Sequence, residues 1–346
     1  MQFGKDVQTI GNYAFSGCRA LTAVVWPDGL QTIGEYAFDS SSLQSLSLPE
    51  RVTSIGYRAF SNCSALTDVY IPAAVANGIT NNSMFYACSN LKTVTFGEGT
   101  TKICDNLFSN SNLRAITLPS TVVEIGNSAF SNCEKLRTVE LPEGLTQIGN
   151  GAFSGCTVLK HIVIPTTLTT LGGSAFKACR ALASVRLPKG VASIPWNCFE
   201  GCSALEELEI TEGTTNIGDA AFSGCSALTS VVLPDGLQTI GNNVFSGCSS
   251  LKKINIPATV TSIGGGVFSG TAIETVGPTG GGYDCEYGWT DKILPHSFQD
   301  AANIQKVTIA DGITEIGYRA FYNCTKLEKA QFGKDVQTIG SNAFRY

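Results

Sequence analysis

The sequence predicts a repeat solenoid, in which short coils stack and each coil packs only on its neighbours. Phenylalanines recur at intervals of 22–25 residues, usually 23, with one interval of 30. Most of the residues between them recur as well, and the decapeptide QFGKDVQTIG stands at both 2–11 and 331–340. A constant period in this range is typical of stacked coils. The fifteen anchors are Phe15, Phe38, Phe60, Phe85, Phe108, Phe130, Phe153, Phe176, Phe199, Phe222, Phe245, Phe268, Phe298, Phe321 and Phe344.

The first part of each unit predicts a short strand. In the unit at 221–245, AFSGCSALTSVVLPDGLQTIGNNVF, Val231 and Leu233 are an alternating apolar pair, as in a strand with one buried face. Pro234 follows at once and ends the strand, because it has no N–H to donate to a ladder. The Asp-Gly after it indicates a turn.

The second part of each unit predicts a bend and a short helical turn. Ile240 is expected to point inward, and Gly241 permits a backbone bend that a side chain would hinder. The segment that follows is too short for a long helix but suits one helical or 3-10 turn. That turn would bury Phe245 between neighbouring coils.

The repeated pattern AFxxCxxLxxVxLPxxVxxIG resembles the BspA-type leucine-rich repeat of bacterial cell-surface proteins, over essentially the whole chain. The resemblance implies a leucine-rich-repeat solenoid, an α/β-type right-handed superhelix of about fifteen 23-residue coils. It implies a parallel β-sheet on the concave side and short helical or 3-10 turns on the convex side. It also implies a surface-exposed or secreted protein with an adhesive or host-interaction role. Function follows less directly than fold, because repeat scaffolds carry many unrelated binding surfaces.

Composition and charge exclude several classes of partner. The 346 residues are 43% hydrophobic and 15% charged, which is enough apolar material for a large core. The net charge is −5 and there is no basic run, unlike the footprint of a nucleic-acid-binding protein. No stretch approaches the roughly 18 apolar residues of a membrane span. We therefore expect no nucleic-acid partner and no membrane insertion by this segment.

The period predicts a single solenoid domain over residues 1–346, with an irregular insertion at about 277–292 where the spacing lengthens to 30. No signal-peptide pattern stands at the N-terminus. The end segments 1–16 and 331–346 have the character of interior coils and lack the polar outer face of a cap. We therefore expect a piece of a longer array, or one whose ends something else covers.

The cysteine spacing predicts buried free thiols. Ten of the 13 cysteines lie three residues after an anchor Phe, where other coils have Ser, Thr or Ala, so the position calls for a small side chain. Disulfides between neighbouring coils stay open on spacing alone, although a coil spacing of about 4.8 Å exceeds the roughly 3.8 Å between bridged Cβ atoms. Of the remaining three, Cys104 and Cys198 are expected to be buried and Cys285 to be the most exposed. The ten are Cys18, Cys63, Cys88, Cys133, Cys156, Cys179, Cys202, Cys225, Cys248 and Cys324.

The first candidate binding surface is the concave face. The residue between the two inward residues of each strand should face it, together with a second column two residues earlier. Both columns are mixed and mostly polar, and they include tyrosine and arginine, which are enriched in interface hot spots. The alternative is a solvated face with no ligand. The candidate residues are Tyr70, Glu140, His161, Arg186, Glu207, Glu209 and Lys253.

The second candidate surface is the insertion, where three consecutive glycines precede Tyr283, Tyr287 and Trp289. Aromatic residues in a loop on a rigid scaffold are typical of recognition elements. The alternative is an insertion whose aromatic side chains pack on the solenoid.

The sequence carries no catalytic signature. It has two histidines and no G-x-S-x-G, and the glycine-rich segment 277–285 lacks the Lys-Ser/Thr ending of a phosphate loop. We expect a non-enzymatic protein with no cofactor, no metal and no catalytic residue. The leading hypothesis is a ligand-binding solenoid that engages a protein or glycan on a host or neighbouring cell. The alternative is a structural spacer or assembly module with no ligand of its own.

Overall fold

The structure is a computed structural model that describes residues 1–78 and 83–346. It divides into two compact units, Met1–Cys179 and Arg180–Tyr346. Each unit is a parallel β-solenoid, which confirms the predicted fold class. The fifteen Phe anchors delimit about 14 turns. A typical coil contributes one strand of three or four residues and one of two residues.

In the first unit the elements are β1 (Thr9–Ile10), β2 (Thr32–Ile33), β3 (Ser45–Ser47), β4 (Ser54–Ile55), β5 (Asp68–Ile71), α1 (Ala73–Gly78), β6 (Thr93–Phe96), β7 (Lys102–Ile103), β8 (Ala115–Thr117), β9 (Glu124–Ile125), β10 (Thr138–Glu140), β11 (Gln147–Ile148) and β12 (Thr170–Leu171). The longer strands form the sheets β3-β5-β6 and β8-β10. The shorter strands form the ladders β1-β2-β4 and β7-β9-β11-β12.

In the second unit the strands are β13 (Ser184–Arg186), β14 (Ser193–Ile194), β15 (Glu207–Glu209), β16 (Asn216–Ile217), β17 (Ser230–Val232), β18 (Thr239–Ile240), β19 (Lys253–Ile256), β20 (Ser262–Ile263), β21 (Thr275–Pro278), β22 (Cys285–Tyr287), β23 (Lys292–Ile293), β24 (Lys306–Thr308), β25 (Glu315–Ile316), β26 (Lys329–Gln331) and β27 (Thr338–Ile339). The longer strands form β13-β15 and β17-β19-β22-β21-β24-β26. The shorter strands form β14-β16-β18-β20 and β23-β25-β27.

Alternation along the longer strands separates core from surface. In β5, Val69 and Ile71 are buried while Asp68 is exposed, as a period of two requires. The strands pair in parallel and in register, so that Leu46 lies beside Val69 and Val69 beside Val94. Each outward residue therefore lies next to its counterpart in the neighbouring coil. We call this outward side the strand face.

The anchor phenylalanines form a stacked spine inside each unit. Consecutive ring centroids are 5.2 Å apart for Phe130 and Phe153, and 5.5 Å apart for Phe199 and Phe222. Nearly all of these rings are fully buried. The spine continues past the insertion, because Phe298 stacks on Phe268 at 5.9 Å.

The cysteine column packs against this spine. All thirteen thiols are free, and the buried ones along the column donate to the carbonyl of the preceding anchor, as Cys156 Sγ does to Phe130 O at 3.2 Å. Ser41 occupies the same position in its coil and lies 3.3 Å from Cys63 Sγ. Cys104 and Cys198 are buried as predicted, whereas Cys18 of the column is exposed.

The segments that carry the anchors differ in detail from the predicted helical turns. Over the described ranges they form consecutive hydrogen-bonded turns with no 3-10 helix. The residue two positions before the anchor has a positive φ, as at Asn106 (58°) and Asn243 (56°), and this left-handed residue prevents helical continuation. We call this side of the coil the turn side.

In every Ile-Gly pair except Ile10-Gly11, close approach between coils leaves no room for a Cβ at the glycine. A Cβ on Gly149 would lie 2.6 Å from Asn127 N, in the preceding coil. The residue after this glycine often supplies a side-chain ladder that the repeat pattern did not predict. Asn127 Oδ1 accepts from Asn150 N at 2.8 Å, and Asn150 Oδ1 accepts from Gly173 N at 2.7 Å.

We predict that Gly149→Ala lowers the free energy of unfolding by about 1–3 kcal/mol, because the methyl group must displace the backbone of the coil beside it. Gly236→Ala is the matched control, since a Cβ there meets nothing within 4 Å. It should stay within about 0.5 kcal/mol of the parent. Urea denaturation followed by circular dichroism measures both. Equal midpoints for the two variants would contradict the close-approach argument.

Candidate functional site

The strand face of β13 and β15 brings together three of the predicted binding residues. The register places Arg186 beside Glu209 and Ser184 beside Glu207. Arg186 Nε lies 3.1 Å from Glu209 Oε2, and these side chains are 76% and 56% exposed. An ion pair this exposed contributes about 0–1 kcal/mol to stability. Both charged groups are therefore accessible to a partner, and the fold depends little on the ion pair between them.

Tyr70 lies on β5 and is only half-buried. Its hydroxyl donates to the carboxylate of Glu50, and this hydrogen bond is the main reason that the pKa of Tyr70 rises to about 12. Glu50 directly follows Pro49 in the neighbouring coil, outside the strand positions from which the candidate residues were predicted. The Tyr70 hydroxyl is thus already hydrogen-bonded within the protein.

Glu140 and His161 are exposed but isolated from the other candidates. Glu140 ends β10, where its register partner is Thr117. His161 precedes the buried Ile162 in a segment outside the named strands. The register does not pair either residue with another candidate.

The insertion folds as a strand within the sheet. Residues Cys285–Tyr287 form β22, which lies between β19 and β21 and pairs in parallel with both. Cys285 stands beside Ile254 on one side and Val276 on the other. Strand β22 follows β21 in the chain, yet it precedes β21 in the sheet.

Tyr287 and Trp289 are buried, so the packing alternative holds for these two residues and their rings are not available as a recognition surface. They are 1% and 6% exposed, with ring centroids 5.9 Å apart. Tyr287 Oη donates to Thr308 O and accepts from Ala310 N, each at 3.0 Å. Trp289 Nε1 donates to Val260 O at 2.9 Å. Burial raises the pKa of Tyr287 to about 12.

The acidic residues of the insertion accept hydrogen bonds from backbone N–H groups, Glu286 within the insertion and Asp284 just before it. Asp284 Oδ2 accepts from Glu274 N and Thr275 N at 3.0 and 3.2 Å. Glu286 accepts from Gly280 N and Gly282 N at 2.8 and 2.7 Å, and the bond from Gly280 is the first cause of its lowered pKa. Over the described residues, no group of three His, Cys, Asp or Glu has the arrangement of a metal site.

Lys253 and Tyr283 also make contacts within the protein around the insertion. Lys253 Nζ donates to Tyr283 O at 3.0 Å and lies 3.8 Å from Asp284 Oδ1. The half-buried Tyr283 ring covers Gly277 and Gly281, where any Cβ would collide with it. Lys253 therefore fastens the insertion to β19.

Cys285 is fully buried, and its expected exposure is wrong. As the first residue of β22 it points inward beside Ile254. Burial raises the pKa of this thiol, and Asp284 and Glu286 add to the effect. The exposed thiol of the chain is instead Cys18.

We predict that a chromogenic disulfide reagent titrates one thiol rapidly in mildly alkaline buffer and all thirteen in denaturant. Burial raises the pKa of the column thiols, to about 12 at Cys133 and Cys179, so little reactive thiolate forms there. Cys18→Ser should abolish the rapid phase and Cys285→Ser should leave it unchanged. A rapid thiol that disappears in Cys285→Ser would contradict the placement of β22.

No helix over residues 1–78 and 83–346 combines the length and hydrophobicity needed to cross a membrane.

Comparisons with known proteins agree with this architecture. The family model of the BspA-type leucine-rich repeat region matches residues 1–111, 76–183, 169–279 and 290–346. The chain is similar to a leucine-rich repeat protein of Bacteroides ovatus, with a TM-score of 0.60, 25% identity and coverage of 90% of this chain and 72% of that one. It is also similar to a leucine-rich repeat protein of Eubacterium ventriosum, with a TM-score of 0.55, 25% identity and coverage of 79% and 82%.

A third similar structure is a leucine-rich cell surface protein of Faecalibacterium prausnitzii, with a TM-score of 0.51, 26% identity and coverage of 96% of this chain and 86% of that one. No curated protein sequence matches the chain. The family model covers nearly all of the sequence, and the solved structures share its fold. The chain belongs to the BspA-type leucine-rich repeat family.

Proposed function

We propose that this protein is a non-enzymatic binding solenoid on a bacterial surface or secreted from the cell. It would mediate adhesion by binding a protein on a host or neighbouring cell through its strand face. The Faecalibacterium prausnitzii structure described as a cell surface protein supports the location. The leucine-rich repeat fold supports the protein-interaction role.

The observation that carries the proposal is the contrast between the two sides of the longer strands. The inward residues are almost all buried Leu, Ile and Val. The outward residues change from coil to coil and are exposed, as with Arg186, Glu209 and Val232. Packing explains the inward uniformity, whereas the outward side carries mixed charge and apolar groups that the core does not need.

The patch around β13 and β15 favours a protein partner with complementary charge. Arg186, Glu207 and Glu209 place one cation beside two carboxylates on adjacent strands. Charges on an exposed surface mainly raise the association rate, and salt screens their effect. We expect association through this patch to slow as ionic strength rises. A glycan is the second class of partner, and neutral glycans should show no such salt dependence.

A structural spacer with no ligand is the alternative function. It is favoured by the engagement of Lys253, Tyr287 and Trp289 in the fold itself. A spacer would bind nothing through the strand face, so a binding screen separates the two functions.

The test screens the protein against immobilised extracellular-matrix proteins and a glycan array, then repeats the positive hits with variants. We predict that Arg186→Glu and Glu209→Arg each weaken binding by about tenfold. The double exchange restores the ion pair but leaves the charges in the wrong places for the partner, so it should stay weak. Arg114→Glu is the control, because Arg114 is exposed just before β8 in the other unit.

Unchanged binding in all the Arg186 and Glu209 variants would overturn the strand-face site. A protein that binds nothing on either panel would favour the spacer. Turnover of any ligand on the panel would contradict the non-enzymatic assignment.

A further inference from the structure

An arginine on the turn side of the first unit stacks between two tyrosines. Arg58 Cζ lies 3.9 Å from the ring centroid of Tyr86 and 5.2 Å from that of Tyr57. Tyr57 is 38% exposed, and Arg58 is half-buried. Such stacking holds a guanidinium in one orientation. We call Tyr57, Arg58 and Tyr86 the Arg58 cluster.

The second unit carries a related cluster of one arginine and two tyrosines. Arg319 Cζ lies 5.1 Å from the ring centroid of Tyr318 and 4.9 Å from that of Tyr322. Tyr318 is 40% exposed, nearly the value of its counterpart. The arginine and the tyrosine before it come from the hexapeptide Ile-Gly-Tyr-Arg-Ala-Phe, at 55–60 and at 316–321, whereas Tyr86 lies in the coil after Arg58 and Tyr322 lies in the same coil as Arg319. We call Tyr318, Arg319 and Tyr322 the Arg319 cluster.

Neither arginine has an acidic partner. Over the described residues, no carboxylate forms an ion pair with Arg58 or Arg319, and the Nε atom of each is buried and donates no hydrogen bond. The acids in the preceding coils bind asparagines instead, with Asn62 Nδ2 at 2.9 Å from Asp39 and Asn323 Nδ2 at 2.9 Å from Asp300. Since Nε is buried, the terminal Nη nitrogens of each guanidinium are the donors available to an oxyanion.

The backbone at both arginines is unfavourable for their residue type. Each has a φ of +53°, in the left-handed region that disfavours a residue with a Cβ. The same conformation recurs two residues before the anchor in the other coils, as at Tyr36, Ser174 and Ala220, so it belongs to the repeat and fixes where the two arginines stand. Several other coils place Asn or Gly at the same position, at Asn106, Gly151, Asn197, Asn243, Gly266 and Asn342.

More aromatic rings extend from each cluster along the coils. Tyr36 lies 5.6 Å from Tyr57, and Tyr13 stacks on Tyr36 at 5.1 Å. In the second unit the His296 ring lies 5.3 Å from Tyr318. The Arg58 cluster is thus one cation beside rings from two preceding coils, and the Arg319 cluster is one cation beside a ring from one preceding coil. Tyr13 is the most exposed of the rings, at 58%.

We propose that each cluster binds an acidic polysaccharide built from uronic acids. The guanidinium of Arg58 or Arg319 takes the uronate carboxylate, and the exposed edges and faces of the tyrosines contact the apolar side of the sugar rings. A polymer with a ring and a carboxylate in each residue matches a row of rings with a cation at one end. An acidic peptide supplies the carboxylates but has no regularly repeated ring to contact the tyrosines. This surface is separate from the strand face.

The two clusters should differ in strength. Residue 35 stands in the coil before Tyr57 at the equivalent position and is an exposed glutamate, which repels a carboxylate. The equivalent position before Tyr318 is Pro295, which carries no charge. We therefore expect the Arg319 cluster to bind more tightly.

The test is isothermal titration of the full chain with galacturonic acid oligomers, with their methyl esters, and with poly-glutamate of matched length. We expect binding to the free acid, and loss of most affinity for the ester because its carboxylates are uncharged. Arg319→Lys should weaken binding more than Arg58→Lys, and the double variant should lose about tenfold or more. These variants keep the charge and remove the planar fork. Arg114→Lys, elsewhere on the surface, should bind as the parent does.

Equal urea midpoints of parent and double variant show that a loss is local. The comparison of acid with ester needs no variant, so it decides the question even if a substitution disturbs folding. No binding to the free acid, equal binding to the ester, or poly-glutamate binding as tightly as the oligomer would each overturn the proposal. Unchanged affinity in the double variant would do the same.

Discussion

The structure depends on the distance at which one coil packs on the next. At the Ile-Gly glycine a single Cβ would meet the backbone of the preceding coil, as Gly149 shows against Asn127 and Gly264 against Asn242. This contact brings equivalent atoms of neighbouring coils into register. The stacked phenylalanines, the thiols that donate to anchor carbonyls and the asparagine ladder all repeat at that spacing. One steric constraint therefore sets the geometry of several interactions that differ in chemistry.

The same constraint explains where the chain tolerates change. Inward positions must fit a space that recurs in every coil, so they vary little. The extra residues near 277–292 leave the spine intact, with Phe298 on Phe268 at 5.9 Å, because they are taken up by a strand added to the sheet. The added strand also requires that backbone N–H groups near it find hydrogen-bond acceptors. Glu286 accepts from the N–H groups of Gly280 and Gly282 in the tight connection before β22, and Asp284 accepts from those of Glu274 and Thr275 at the start of β21.

Two surfaces remain free of these requirements, and they suit different ligands. The strand face presents single side chains at each coil, with charges that neighbour each other through register, as Arg186 and Glu209 do. Such a surface is suited to a broad protein partner. The turn side presents rings and guanidinium groups that already stack on one another. Prestacked groups lose little further freedom on binding, and this favours a small, repeated chemical group.

The sequence by itself determined the period, the buried columns and the membership of each strand, because these depend only on residue spacing. It also selected Arg186, Glu207 and Glu209, since strand alternation assigns outward positions without further information. Only the tertiary structure decided which side chains of the insertion are buried. Tyr287, Trp289 and Cys285 are buried because β22 enters between β19 and β21, and a strand out of chain order leaves no trace in local spacing. It likewise decided that Lys253 fastens the insertion and that Cys18 is exposed, because both depend on which segments lie beside them in space.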